Sequence, residues 1–175
     1  MSDDFYIHTY TGRIHYPARP DAANINIVDI AHALSLLCRY TGHCRTFYSV
    51  AEHSLIISEL FTDPAQQLEG LLHDAAEAYC NDISRPLKQS LPDYKAIERL
   101  NDVAIRKRFR LSPIHSALVK EADNDLLQTE YRQLMSVAVS VDCPGNFRPG
   151  IRLKGLGLNA EEPFLRRFYQ LYKEI

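Results

Sequence analysis

The chain has 175 residues, enough for one domain with a sizeable core, and its 46% hydrophobic and 24% charged content is that of an ordinary globular protein. A formal net charge of -2 excludes a general attraction to nucleic acid or anionic lipid, so a polyanionic ligand has to be held by local cations. No apolar run approaches the ~18 to 20 residues of a membrane helix; Cys38, Cys44, Cys80 and Cys143 form no C-x-x-C pair, and the N-terminus lacks a secretory pattern, so a soluble protein of a reducing cytoplasm is expected.

In chain order, FYIHTYTGRIHYP alternates aromatic and polar residues about Thr11-Gly12 and predicts a short hairpin or extended arm. In DIAHALSLLCRY, Ile30, Ala33, Leu34, Leu37 and Cys38 recur at helical spacing, with Asp29 as the expected N-cap and Gly42 as the stop. Ser49-Val50-Ala51-Glu52 matches a capping box, in which the Ser49 hydroxyl meets the third helical amide and Glu52 reaches back to the Ser49 amide. His53 then falls in the first turn. Asp63-Pro64 opens a helix expected to run to about Cys80, and the link from Ile83 to Leu91, holding Pro86, is expected to be irregular.

Pro92 to Arg110 reads as a charged helix, and Ser112-Pro113 as the start of a long one reaching toward Ser140. Asp142 to Gly157 reads as a loop before a last helix with Phe164, Leu165, Phe168, Leu171 and Tyr172. The aromatic face of that helix, which includes Tyr169, requires docking on the domain or an oligomer contact. The expected fold class is all-α, a helical bundle with a short N-terminal extended or hairpin arm. A single domain is expected over 1–175, with a core at about 27–140 and a C-terminal loop and helix at 141–175.

The stretch LLHDAAEAYC sets His73, Asp74 and Glu77 among leucines and alanines. On a continuous helix the three side chains project toward one region. An imidazole nitrogen beside a carboxylate oxygen suits a borderline divalent metal such as Zn, Mn, Fe or Co. His53 is the candidate third ligand, because a short connection makes its helix a neighbour of the His73 helix. The fourth comes from KEADNDLL: Asp125, with Glu121, Gln128 and Thr129 nearby, reads as solvated, whereas Asp123 falls in the stripe of Val119, Leu126 and Leu127. A carboxylate in an apolar stripe requires a strong partner, a metal or an arginine.

The order His53, then His73-Asp74, then Asp123 on successive helices resembles the HD superfamily of metal-dependent phosphohydrolases. The segments DIAHALSLLCRYTGH, FYSVAEHSLIIS, LLHDAAEAYCNDISRPLK and KEADNDLL are similar to those of small phage HD hydrolases, dATP triphosphohydrolases among them, and of bacterial 5′-deoxynucleotidases. The resemblance covers most of residues 5 to 130. It implies an HD-domain helical bundle with His53, His73, Asp74 and Asp123 on a divalent metal (Zn, Co or Mn), a second and weaker divalent ion remaining open. It also implies Glu77 and Asp82 as the acids that handle the attacking water or leaving group, Arg39 and Lys88 as phosphate cations, Tyr40 stacking on the base, and Pro86 lining the same pocket.

The activity implied is hydrolysis of a deoxynucleotide 5′ phosphoester, dATP to deoxyadenosine and triphosphate. The alternatives are a 5′-deoxynucleotidase acting on monophosphates and a non-catalytic nucleotide-binding HD module. The expected partner is a small-molecule deoxynucleotide in a homo-oligomer, with no nucleic acid polymer and no membrane, in the cytoplasm, the host's if the chain is phage-encoded. His32 and His43 are expected to be structural, and His8, His15 and His115 have no partner pattern.

Overall fold

The structure, a computed structural model, describes residues 5–136 and 145–173. Helix dominates, with one two-stranded hairpin at the N-terminus, as the fold class anticipates. Strands β1 (Ile7–His8) and β2 (Ile14–His15) pair antiparallel with Ile7 opposite His15. Gly12, at φ +79°, makes the reversal where the sequence placed it.

The axis of the fold is α2 (Val50–Glu59), whose residues from Val50 through Ser58 are all buried. Around it pack α1 (Ile27–Leu36), α3 (Pro64–Leu72), α7 (Ala117–Leu134) and α8 (Glu161–Tyr172). A helix without a polar face has to sit inside the protein, and α2 does. Gly70 of α3 permits a close approach: a Cβ there would meet Ile57 Cγ2 at 3.0 Å and the Ser58 backbone nitrogen at 3.3 Å. The α2–α3 contact carries His53 toward His73.

Several local expectations are corrected. Asn26, not Asp29, caps α1 through the Val28 amide; Asp29 is buried within the first turn and accepts from the Thr11 amide and hydroxyl, fastening the hairpin. The helix stops at Leu36, and a separate 3-10 turn at Tyr40–Gly42 follows. Ser49 caps α2 as expected, but Glu52 does not close the capping box. Its oxygens instead accept the amides of Gly155 and Leu156 at 2.8 and 2.9 Å, binding the C-terminal segment to the core.

Asp63 and Pro64 open α3, which ends at Leu72 rather than near Cys80. From there the backbone bonds shorten to i→i−3, Ala75 to Leu72 and Glu77 to Asp74, before the single turn α4 (Glu77–Cys80). Residues 85–90, expected to be irregular, form α5 (Arg85–Ser90). The charged helix α6 (Pro92–Phe109) has the expected bounds and ends on Arg110 in the left-handed conformation. The next helix starts on Ser116, whose hydroxyl accepts from Val119, not on Ser112-Pro113. It ends at Leu134 with Met135 extended, short of the expected reach toward Ser140. Ser140 and Cys143 lie outside the described residues.

In α8, Phe164, Phe168 and Leu171 are buried in the same core as Ile30, Leu34, Leu55, Leu71 and Phe109. The aromatic face of the last helix therefore docks on its own chain, while Tyr169 remains exposed. Among the described residues no helix is long and apolar enough to cross a membrane.

Candidate metal centre and its cavity

His53 lies in the first turn of the buried axis and is fully buried, and His73 sits at the C-terminus of α3, across the contact that Gly70 allows. Their Nε2 atoms are 3.2 Å apart. Asp123 Oδ1, from α7, is 3.2 Å from His53 Nε2 and 3.9 Å from His73 Nε2. Asp74 Oδ2 is 3.2 Å from His73 Nε2 and 3.7 Å from His53 Nε2. One donor atom each from His53, His73 and Asp123 falls within 4.8 Å of the others. Donors at ~2.0–2.1 Å from one ion in tetrahedral array stand roughly 3.3 Å apart, so this set fits a divalent cation.

The tautomers fit as well. His53 Nδ1 donates to the carboxylate of Glu130 at 2.6 Å, and His73 Nδ1 donates to the Gly70 carbonyl at 2.8 Å. In the neutral rings both Nε2 lone pairs therefore face the carboxylates, an arrangement that calls for a cation between them. The charges agree. Burial and the Arg39 charge push His53 down, yet Glu130 and Asp123 outweigh them and raise it to about 9. His73 is likewise raised against its burial by Asp74, while the histidines hold Asp74 and Asp123 below the usual carboxylate range despite theirs.

His73 and Asp74 are neighbours at the end of α3, and their long side-chain reach, not the turn that follows, brings Nε2 and Oδ2 within 3.2 Å. Asp123 reaches the cluster, but its apolar neighbours do not enclose it: the carboxylate is only half-buried and faces His53 and His73. Asp125, expected to be solvated, is fully buried and held by Arg148 Nε at 2.6 Å and the Asn146 amide at 2.6 Å. The C-terminal segment covers that face of α7. Gly145 makes the approach possible, since a Cβ there would lie 2.2 Å from the Asn124 carbonyl oxygen.

A cavity of about 280 Å³ opens beside the cluster, lined by His73, Asp74, Glu77, Lys88 and Glu98 and, further along α6, by Lys95, Arg99 and Asp102. Glu77 is buried, with Oε1 3.7 Å from Lys88 Nζ and Oε2 without a partner among the described residues. Burial, then Asp74 and Asp82, push its carboxyl well above the usual range. Asp82 is half-buried beyond Asn81, whose φ of 72° and ψ of 155° are held by the Tyr94 hydroxyl on its carbonyl.

Lys88 reaches the cavity but is already paired with Glu98 at 2.6 Å. Arg39 is buried between Asp74 at 3.3 Å and Glu130 at 3.4 Å. Tyr40 donates to Glu130 at 2.5 Å and packs edge-on against Tyr131, so its phenol is turned to the protein. Pro86 is exposed in α5 and does not line the cavity. His32 pairs with Glu161 and stacks on Tyr10, and His15 bonds Asn101 and stacks on Tyr79, both structural roles. His115 lines the cavity with its ring held between Arg106 and Asp102.

Glu130, which no motif singled out, touches His53, Arg39, Tyr40 and Tyr48 together. The available signal was its spacing: seven residues after Asp123, it shares a helical face with that ligand.

No protein-family model matches the chain. It is similar to the uncharacterized protein YfdR of Escherichia coli, with 45% identity over 129 residues, 74% of this chain and 72% of that protein. An uncharacterized protein of Rhodobacter capsulatus is 36% identical over 112 residues, covering 59% of this chain and 57% of the relative. The chain belongs to the family of the Escherichia coli protein.

Proposed function

We propose that this member of the YfdR family is a divalent-metal-dependent phosphohydrolase of the HD type that cleaves the 5′ phosphoester of a deoxynucleotide, with dATP as the leading substrate. The observation that carries the reading is the convergence of His53, His73 and Asp123, with Asp74 beside them, at the wall of a cavity that also holds a buried, half-partnered carboxyl. His53, His73, Asp74 and Asp123 would hold Zn, Co or Mn. Such an ion supplies Lewis acidity toward a phosphoryl oxygen and lowers the pKa of water.

Water attacks the α-phosphorus, the bond from phosphorus to O5′ breaks, and deoxyadenosine and triphosphate leave. Glu77, facing the cavity one turn from the cluster, delivers a proton to O5′ and is reprotonated by the one the attacking water gives up; Asp82, which does not line the cavity, acts only through its charge near Glu77. Arg39, fixed by its two carboxylates, contributes positive charge beside the cluster rather than a mobile grip on phosphate. Tyr40 and Pro86 are weaker participants, since neither lines the cavity.

A triphosphate leaving group favours the cavity's far wall. Glu98 is paired with Lys88 and Asp102 with Arg106, while His115 Nε2 bonds the other Asp102 oxygen. Lys95 and Arg99, one turn apart on α6, have no acidic partner among the described residues. They are the cations positioned for phosphates beyond the first. Hydrogen bonds to charged groups contribute about 1.5–3 kcal/mol, so the double substitution Lys95→Ala with Arg99→Ala raises KM for dATP by about tenfold or more and leaves dAMP unaffected. Steady-state kinetics on both substrates checks this. An equal effect on the two nucleotides would contradict it.

A further inference from the structure

We propose that Glu130 is the positioning residue of this centre, a buried carboxylate that fixes the ring of His53 and ties Arg39 to the same scaffold. The inference rests on the reading of the cluster as a metal site. Glu130 is fully buried on α7. Its Oε1 accepts from His53 Nδ1 at 2.6 Å and from the Tyr48 hydroxyl at 2.7 Å. Its Oε2 accepts from the Tyr40 hydroxyl at 2.5 Å and lies 3.4 Å from Arg39 Nη2. A buried carboxylate persists only when its oxygens are filled, and here each oxygen faces two donors. Tyr40 is held in a left-handed conformation, φ 57°, while making its share of this contact.

The consequences are specific. Glu130 stands two turns after Asp123, so α7 supplies one donor of the cluster directly and orients a second through the His53 ring. Because Glu130 accepts from Nδ1, His53 is fixed with Nε2 toward Asp123 and His73. His73 takes its tautomer from the Gly70 carbonyl instead, which makes it independent of Glu130. Arg39 bridges Glu130 to Asp74, so the same carboxylate also steadies the acid on the opposite side of the cluster. A glutamine cannot replace it: its NH2 meets the Arg39 guanidinium in one orientation and the His53 Nδ1–H in the other.

The test is calorimetric titration of Zn and of Co into the full chain and into Glu130→Gln, with far-ultraviolet circular dichroism to compare folding. Loss of the carboxylate partner of a ligating histidine is expected to weaken metal binding by about 10- to 100-fold. Glu121→Gln, an exposed change on the same helix, is the control with unchanged affinity. On the unaltered Zn-loaded chain, nitrogen NMR is expected to show His53 protonated at Nδ1 and coordinated through Nε2, a readout that does not depend on the variant folding. A folded Glu130→Gln that binds both metals as tightly as the parent overturns the inference, as does coordination through Nδ1 of His53. A parent chain that takes up neither metal overturns the metal reading itself, and this inference with it.

Discussion

Asp74→Ala is expected to leave a folded chain that retains no divalent metal and releases no nucleoside. Asp74 Oδ2 lies within 3.2 Å of His73 Nε2 and 3.7 Å of His53 Nε2, so its removal opens one side of the cluster. Lewis-acid stabilisation contributes several kcal/mol, so the hydrolytic rate falls by about a thousandfold or more when the ion is lost. Arg39 keeps Glu130 as a partner, which limits the damage to the fold. Elemental analysis after gel filtration reports metal content, and nucleoside release reports activity. Full activity in Asp74→Ala would remove this mechanism.

Phe164→Ala is expected to destabilise the protein by about 3–5 kcal/mol, the range for deleting a fully buried phenylalanine side chain. Phe164 has no exposed surface and belongs to the core formed by α1, α2, α3 and α6. Urea unfolding followed by circular dichroism measures the loss. A change below about 1 kcal/mol, within the range of an exposed site, would contradict the docking of α8 on its own domain.

Much of the architecture was legible because its signals are local. The Ser49 and Asp63 caps, the proline that opens α3, the hairpin at Gly12 and the bounds of α6 all follow from residues within a few positions of each boundary. Histidines and aspartates set among apolar residues drew attention to the candidate ligands, and the structure brings donor atoms of His53, His73 and Asp123 within 4.8 Å of one another. What failed was non-local. Asp29 loses its capping role to Asn26 because Thr11, eighteen residues earlier, occupies its oxygens. Glu52 leaves the capping box for two amides more than a hundred residues away. Asp125 is buried by Asn146 and Arg148, which no helical wheel of α7 contains.

The turn that breaks the helix after Leu72 was hidden by alanines, which are good helix formers and gave no stop signal. Glu130 escaped notice because QTEYRQ reads as an ordinary polar helix surface, whereas Tyr40, Tyr48 and Arg39 arrive from the segment between α1 and α2 to enclose it.

The measurement that bears most directly on the central claim is product analysis by chromatography after incubating the metal-loaded chain with each dNTP and dNMP separately, beside a metal-stripped control. The account predicts deoxyadenosine and intact triphosphate from dATP, only in the presence of metal. Absence of nucleoside from every substrate, in a chain whose cluster is loaded with metal, would contradict it and leave a nucleotide-binding module in place of the enzyme.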